Sequence, residues 1–163
     1  PKGIGNAKAI GNYSASLFPL MEAKKEGFDE NIYLDAKEEK FVEELGSANM
    51  FIYKDGCLKT PALNGSILGG ITRQSVCQVA SDLLGITVEK TELTVDDLLS
   101  ADEVFCTGTA VVITPVGKIS YQGKMTEINQ NKMGPIAQKI RETLVGIQRE
   151  ELDDPFGWVV SVE

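Results

Sequence analysis

The sequence predicts an α+β domain: a curved, mostly antiparallel sheet with flanking helices. Three observations carry that expectation. Short β-type runs are interleaved with three sizeable segments of helical periodicity, and no regular strand-helix alternation links them. Asp55-Gly56 stands between two such runs and marks a tight hairpin, the connection that joins antiparallel strands. A chain of 163 residues, 42% hydrophobic and 25% charged, has the size and balance of one domain with its own core, so residues 1–163 are read as a single unit.

Taken in order, residues 1–12 are rich in Gly, Asn and small side chains and predict an exposed loop. Ser14 to Glu26 carries Leu17, Leu20, Met21 and Ala23 at helical spacing, with Gly27 placed to end the helix and Pro19 placed to kink it or delay its start. Asn31 to Asp35, Phe41 to Leu45, Met50 to Lys54 and Cys57 to Thr60 are β-type runs. Gly70 to Leu84 predicts a helix with Val76, Val79, Ala80, Leu83 and Leu84 along one side and Gly85 as its stop. Thr87 to Glu92 follows as a strand, and Thr94 is a good N-cap for a short helix over Val95 to Leu99. Val104 to Thr107, Val111 to Val116 and Lys118 to Tyr121 are further strands. The last helix starts near Gly134-Pro135, with Ile136, Ile140, Leu144 and Ile147 on one face, and Trp158 to Val162 is expected to close the chain as a strand. There is no internal repeat and no low-complexity segment.

Composition excludes several function classes. A net charge of -8 argues against a nucleic-acid partner, which needs clustered Lys and Arg to displace counterions. No apolar run is long enough to span a bilayer and no leader segment is visible, so a soluble protein of the cytoplasm or of an organelle is expected. With no histidine, Ser-His-Asp and Cys-His catalysis and most zinc sites are removed. Cys57, Cys77 and Cys106 are far apart and odd in number, which predicts packed, reduced thiols and no metal clip.

Chemistry enters at Lys8, within Gly5-Asn6-Ala7-Lys8-Ala9-Ile10-Gly11-Asn12-Tyr13. A lone lysine is ordinarily a solvated surface charge. Here small neighbours leave room beside the backbone for a bulky aldehyde, which a Schiff-base lysine requires. Lys8 to Leu17 resembles the lysine motif of branched-chain aminotransferases, members of the class IV pyridoxal-phosphate aminotransferase family. Glu43 to Phe51 resembles that family's glutamate strand. Leu58 to Pro61 with Ile67 to Arg73 resembles its phosphate-binding turn and helix, and Cys106 to Ala110 its substrate and phosphate loop. The four motifs fall in the family's order along nearly the whole chain.

The resemblance implies pyridoxal 5'-phosphate as cofactor, a D-amino-acid aminotransferase-like large domain whose sheet curves into a pseudo-barrel, and a homodimer. It implies that Lys8 holds the cofactor as a Schiff base and moves the proton, and that Glu44 keeps the pyridine nitrogen protonated. Ile71 and Thr72 would offer main-chain N–H groups to the phosphate at a helix N-terminus, with the Thr109 hydroxyl beside them. Tyr13 would contact the ring oxygen and Ser47 would lie against the ring. Gly108, Thr109, Ala110 and Tyr13 would meet the substrate, whose carboxylate the Thr109 and Ala110 main-chain N–H groups would bind. The implied reaction is transamination of L-leucine, L-isoleucine and L-valine with 2-oxoglutarate, small-molecule substrates only, with no membrane partner.

In three places the chain departs from the pattern. Gly69 stands where the family's turn often carries proline. The family's small N-terminal domain, which would precede this segment, is expected to be absent. Val111 and Thr114 stand where some relatives carry a redox Cys-x-x-Cys, so no thiol switch is expected there. Two alternatives stay open: another enzyme of the same fold, a D-amino-acid aminotransferase or aminodeoxychorismate lyase, and a non-catalytic domain that keeps the fold.

Overall fold

The computed structural model describes residues 3–160 and 162. A seven-stranded sheet is its frame. The strands are β1 (Ile32–Leu34), β2 (Val42–Leu45), β3 (Asn49–Lys54), β4 (Cys57–Pro61), β5 (Thr87–Thr91), β6 (Glu103–Gly108) and β7 (Val112–Pro115). Strand β3 is central. One of its edges pairs with β6, and β2 and β4 also pair with it, all antiparallel. Only β4 and β5 run parallel, because the chain crosses between them through a helix.

Alternation along β3 assigns the two faces of the sheet. Phe51 stacks on Phe105 at 5.2 Å between ring centres and packs with Val76, Val79, Ile140, Leu144 and Ile147. Met50 and Ile52 point the other way, into a second cluster with Leu93, Leu98, Val104 and Ile119. The first face is covered by α3 (Ile71–Gln78), which continues as a π-helical turn over Val79–Leu83, and by α5 (Pro135–Gln148). The second face is covered by α4 (Val95–Leu99) and a small ribbon of β8 (Lys118–Tyr121) and β9 (Lys124–Glu127). Among these residues no helix is long and apolar enough to cross a membrane.

Local chemistry explains most boundaries. Asp55 and Gly56 have φ of 52° and 77°, the left-handed pair a two-residue hairpin requires. Thr94 accepts from the Asp97 N–H while the Asp97 carboxylate accepts from the Thr94 N–H, a closed capping box on α4. The α5 N-terminus is capped by a buried acid from the sheet. Glu103, only 5% exposed, accepts the N–H groups of Ile136 and Ala137 at 3.0 and 2.9 Å.

Three expectations need correction. The first helical segment is two helices, α1 (Ile10–Ser14) and α2 (Leu17–Lys25), so helix begins inside the expected loop. They part where the Ser16 hydroxyl donates to the Tyr13 carbonyl at 2.8 Å, and Pro19 falls in the first turn of α2, where a missing N–H costs nothing. Trp158 to Val160 is not a strand: the Asp154 carboxylate accepts from the N–H of Phe156 and Val159 and coils the segment back on itself. Ser161, in the same expected strand, lies outside the described residues, as do Pro1 and Lys2 of the expected loop. Strand β9 was not foreseen, because its largely exposed Lys124-Met125-Thr126-Glu127 shows no apolar alternation.

Candidate functional site

Three of the four motifs converge at one end of the sheet. Asn49 opens β3 and is paired across one edge with Glu44 of β2 and across the other with Thr107 of β6. Its side chain, 6% exposed, donates from Nδ2 to Glu44 Oε2 at 3.1 Å and to the Leu68 carbonyl at 2.8 Å. Leu68 belongs to the turn that enters α3, so this one amide joins the glutamate strand to the phosphate-type turn. A Cβ on Gly70, the N-cap of α3, would overlap Asn49 Oδ1. Gly70 has φ of -61°, so contact, not backbone conformation, excludes a side chain there.

The third piece joins through the turn between β2 and β3. A Cβ on Gly108 would lie 3.6 Å from the Ser47 carbonyl and 4.0 Å from the Ala48 Cβ. Ser47 is exposed and its hydroxyl reaches Glu30 Oε2 at 3.3 Å. Thr109 and Ala110 are exposed in the turn beyond Gly108, which returns to β7 at Val112. Val112 has φ of 54°, a left-handed conformation that costs a β-branched residue on the order of 1–3 kcal/mol. The turn is thus held in shape against a backbone cost.

At α3, no side chain caps the N-terminus. Ile71 is 79% exposed and Thr72 half-buried, and the first-turn N–H groups are the unsatisfied donors every helix start presents. Arg73, 4% exposed, anchors this turn from behind: Nε donates to the Thr60 hydroxyl at 3.2 Å and a terminal nitrogen to the Pro61 carbonyl at 2.8 Å.

Glu44 is the electrostatically unusual member. Desolvation raises its carboxyl to about 7; the Leu68 amide opposes the shift and neighbouring Glu43 adds to it. No described lysine or arginine forms an ion pair with it. A second orphan lies nearby: Thr107, 1% exposed, has a hydroxyl with no partner among the described residues.

The lysine loop is tied in more loosely. Asn12 Nδ2 donates to the carbonyls of Ile4 and Ala7 at 2.8 and 2.9 Å and so folds the loop around Lys8. A Cβ on Gly5 would overlap the main chain of Ser66, whose hydroxyl bonds the carboxylate of Glu43, next to Glu44. Lys8 is exposed and Tyr13 half-buried on α1; neither side chain makes a hydrogen bond to the other candidates. Two surface clefts, one of about 570 Å³ between α3 and β5 and one of about 330 Å³ beside the end of α5, hold none of the candidates.

The residues given no role from sequence are Asn12, Asn49 and Thr107. Asparagine is depleted in strands, and Asn49 stands one residue before the expected run of Met50 to Lys54, so no strand signal pointed to it. Thr107 sits unremarkably in a β-type run and gave none.

Residues 4–119 match the family described as amino-transferase class IV. The chain belongs to that family. It is 47% identical over 166 residues to the probable branched-chain-amino-acid aminotransferase of Staphylococcus epidermidis, covering 98% of this chain and 46% of that protein. The mitochondrial branched-chain amino acid aminotransferase 1 of Humulus lupulus is 44% identical over 163 residues, covering 100% and 41%. Among solved structures, the T.th. branched-chain amino acid aminotransferase with pyridoxamine 5'-phosphate superposes with a TM-score of 0.85 at 37% identity, over 98% of this chain and 50% of that one. The chain therefore spans about half the length of the relatives it matches. The fold the resemblance implied is the one observed, as an open sheet and not a closed barrel.

Proposed function

We propose that this chain forms the cofactor-binding domain of a pyridoxal 5'-phosphate aminotransferase that exchanges the amino group between L-leucine, L-isoleucine or L-valine and 2-oxoglutarate. The observation that supports this best is Glu44: a half-buried carboxylate with no cation partner among the described residues, linked through the Asn49 amide to the turn that opens α3. A protonated ring nitrogen is the partner such a carboxylate lacks. The uncapped start of α3 offers N–H groups where a phosphate would sit. The residues present therefore fit the group that the T.th. relative holds by name.

When bound, the cofactor supplies an electron sink for the substrate α-carbon. In this reading the chain's own residues do the rest. Glu44 holds a proton at the ring nitrogen. Lys8 Nζ would hold the group covalently and would carry the proton to and from the substrate α-carbon. The N–H groups of Ile71 and Thr72 and the Thr109 hydroxyl hold the phosphate, Tyr13 bonds the ring oxygen, and Ser47 borders the ring. Beyond the Gly108 backbone, the N–H groups of Thr109 and Ala110 orient the substrate carboxylate. Helices α1 and α2 bury none of their residues and expose Ile10 at 89% and Phe18 at 72%, which supports a homodimer that covers this face. A cytoplasmic or organellar setting is in keeping with a mitochondrial relative.

The test is amino transfer by the protein with L-leucine, D-alanine or aminodeoxychorismate in separate incubations. Glutamate formed from 2-oxoglutarate with L-leucine alone, and lost in Lys8→Ala, is the expected result. Turnover of D-alanine or aminodeoxychorismate in preference, or full activity in Lys8→Ala, would sink the reading.

A further inference from the structure

We propose that Asn49 is a positioning residue, holding the Glu44 carboxylate and the Leu68–Gly70 turn at a fixed separation so that both ends of one ligand are met by a single preset unit. The inference rests on the role given above to Glu44, and adds to it a residue that touches neither the reacting atoms nor the phosphate.

Both hydrogens of the Asn49 amide are committed, one to Glu44 Oε2 and one to the Leu68 carbonyl. The remaining oxygen packs against Gly70, where no Cβ could stand. The backbone beneath is equally constrained, since Asn49 is paired on both sides, with Glu44 and with Thr107. A buried amide so surrounded has one orientation open to it: reversed, its oxygen would face the Glu44 carboxylate and the Leu68 carbonyl, three acceptors together. A side chain serving only to fill the core would be apolar, as Phe51 and Met50 beside it are. An asparagine here desolvates an amide and is compensated by what it orients.

The arrangement also ties the carboxylate's ionisation to the turn. A donor to a carboxylate favours its charged form, and the Asn49 amide stands 3.1 Å from Glu44 Oε2, so this hydrogen bond opposes the effect of burial on Glu44. Removing the amide should therefore change how Glu44 titrates even when no cofactor is bound, which a purely structural residue would not do.

The experiment is a ¹³C NMR titration of the glutamate side-chain carboxyls in cofactor-free protein, with the Glu44 signal assigned by its loss in Glu44→Gln. Asn49→Ala should raise the Glu44 midpoint by about one pH unit, a tenfold change in its ionisation equilibrium. Asn49→Asp, nearly isosteric, guards against loss of fold in the alanine variant and should raise the midpoint at least as far. In parallel, cofactor binding followed by its visible absorbance should weaken about tenfold in Asn49→Ala, and by much less when Glu44 is already glutamine. An unmoved Glu44 midpoint in a folded variant overturns the inference, whatever happens to binding. So does failure of both variants to fold, which would make Asn49 a residue of the fold alone. If Glu44→Gln itself binds cofactor as tightly as the parent, the role of Glu44 has failed instead; a weakened Glu44→Gln beside an unaffected Asn49→Ala refutes only the role of Asn49.

Discussion

Replacing Gly70 by alanine sets two effects of opposite sign against each other. At φ -61° and ψ 138° the backbone suits any residue, and glycine to alanine at such a position normally stabilises by about 0.4–1 kcal/mol through the unfolded chain. Against this, the new methyl would overlap Asn49 Oδ1, on a side chain that is 6% exposed and pinned at 3.1 and 2.8 Å. Yielding means breaking a hydrogen bond to a carboxyl and one to a carbonyl, about 2–4 kcal/mol together. Contact wins, and Gly70→Ala should destabilise the cofactor-free protein by about 1–3 kcal/mol, a fall in Tm of roughly 3–10 °C for a chain of this size. Urea and thermal unfolding measure it directly. The double variant Asn49→Ala, Gly70→Ala should lose less than the sum of the singles, because the alanine methyl then enters vacated space. A Gly70→Ala protein as stable as the parent or more so would refute the packing argument.

Other expectations follow from the same geometry. Glu44 has a folded-state pKa of about 7 against an ordinary 4.5, so between those values the folded protein binds the extra proton and loses stability as pH rises. The lowered carboxyls of Asp35, Asp97 and Asp154 act in the opposite sense and at lower pH. Urea midpoints of cofactor-free protein should thus decline from pH 5 to 7 less steeply in Glu44→Gln than in the parent, and identical slopes would contradict the assignment. Glu103→Gln replaces a charged cap on α5 with one that can satisfy only one of two N–H groups, and should cost about 2–3 kcal/mol in a urea melt. Thr107→Val removes an unpartnered buried hydroxyl at constant shape; the cofactor-free protein should gain about 1 kcal/mol, and a loss of that size would show that the hydroxyl is bonded after all.

Where a local signal and its structural cause coincide, the chain was legible. Asp55-Gly56, Thr94 and Gly134-Pro135 marked a hairpin, a cap and a helix start, the first two because each satisfies its geometry with neighbouring residues, the last because proline's fixed φ suits the first helical position. Trp158 to Val160 misled because its apolar content suggested a strand while a carboxylate at Asp154 captured the backbone N–H groups instead. The exposed β9 carried no periodicity from which to infer it. At the site, the ordered motifs pointed to Glu44, Gly70 and Gly108: Asn49 contacts the first two, and Gly108 lies against the Ser47-Ala48 turn that follows the Glu44 strand. What joins them could not be foreseen from spacing, since Asn49 acts through partners 5 and 19 residues away that only the folded sheet brings together. The buried acid capping α5 from 33 residues upstream was hidden for the same reason.

Attachment chemistry at Lys8 tests the central claim most directly. Borohydride reduction of the protein loaded with pyridoxal 5'-phosphate, followed by proteolysis and peptide mass mapping, should put one reduced phosphopyridoxyl group on the peptide containing Lys8 and none on that peptide in Lys8→Ala. Stoichiometric label on a different lysine, with Lys8 unmodified, would contradict the account.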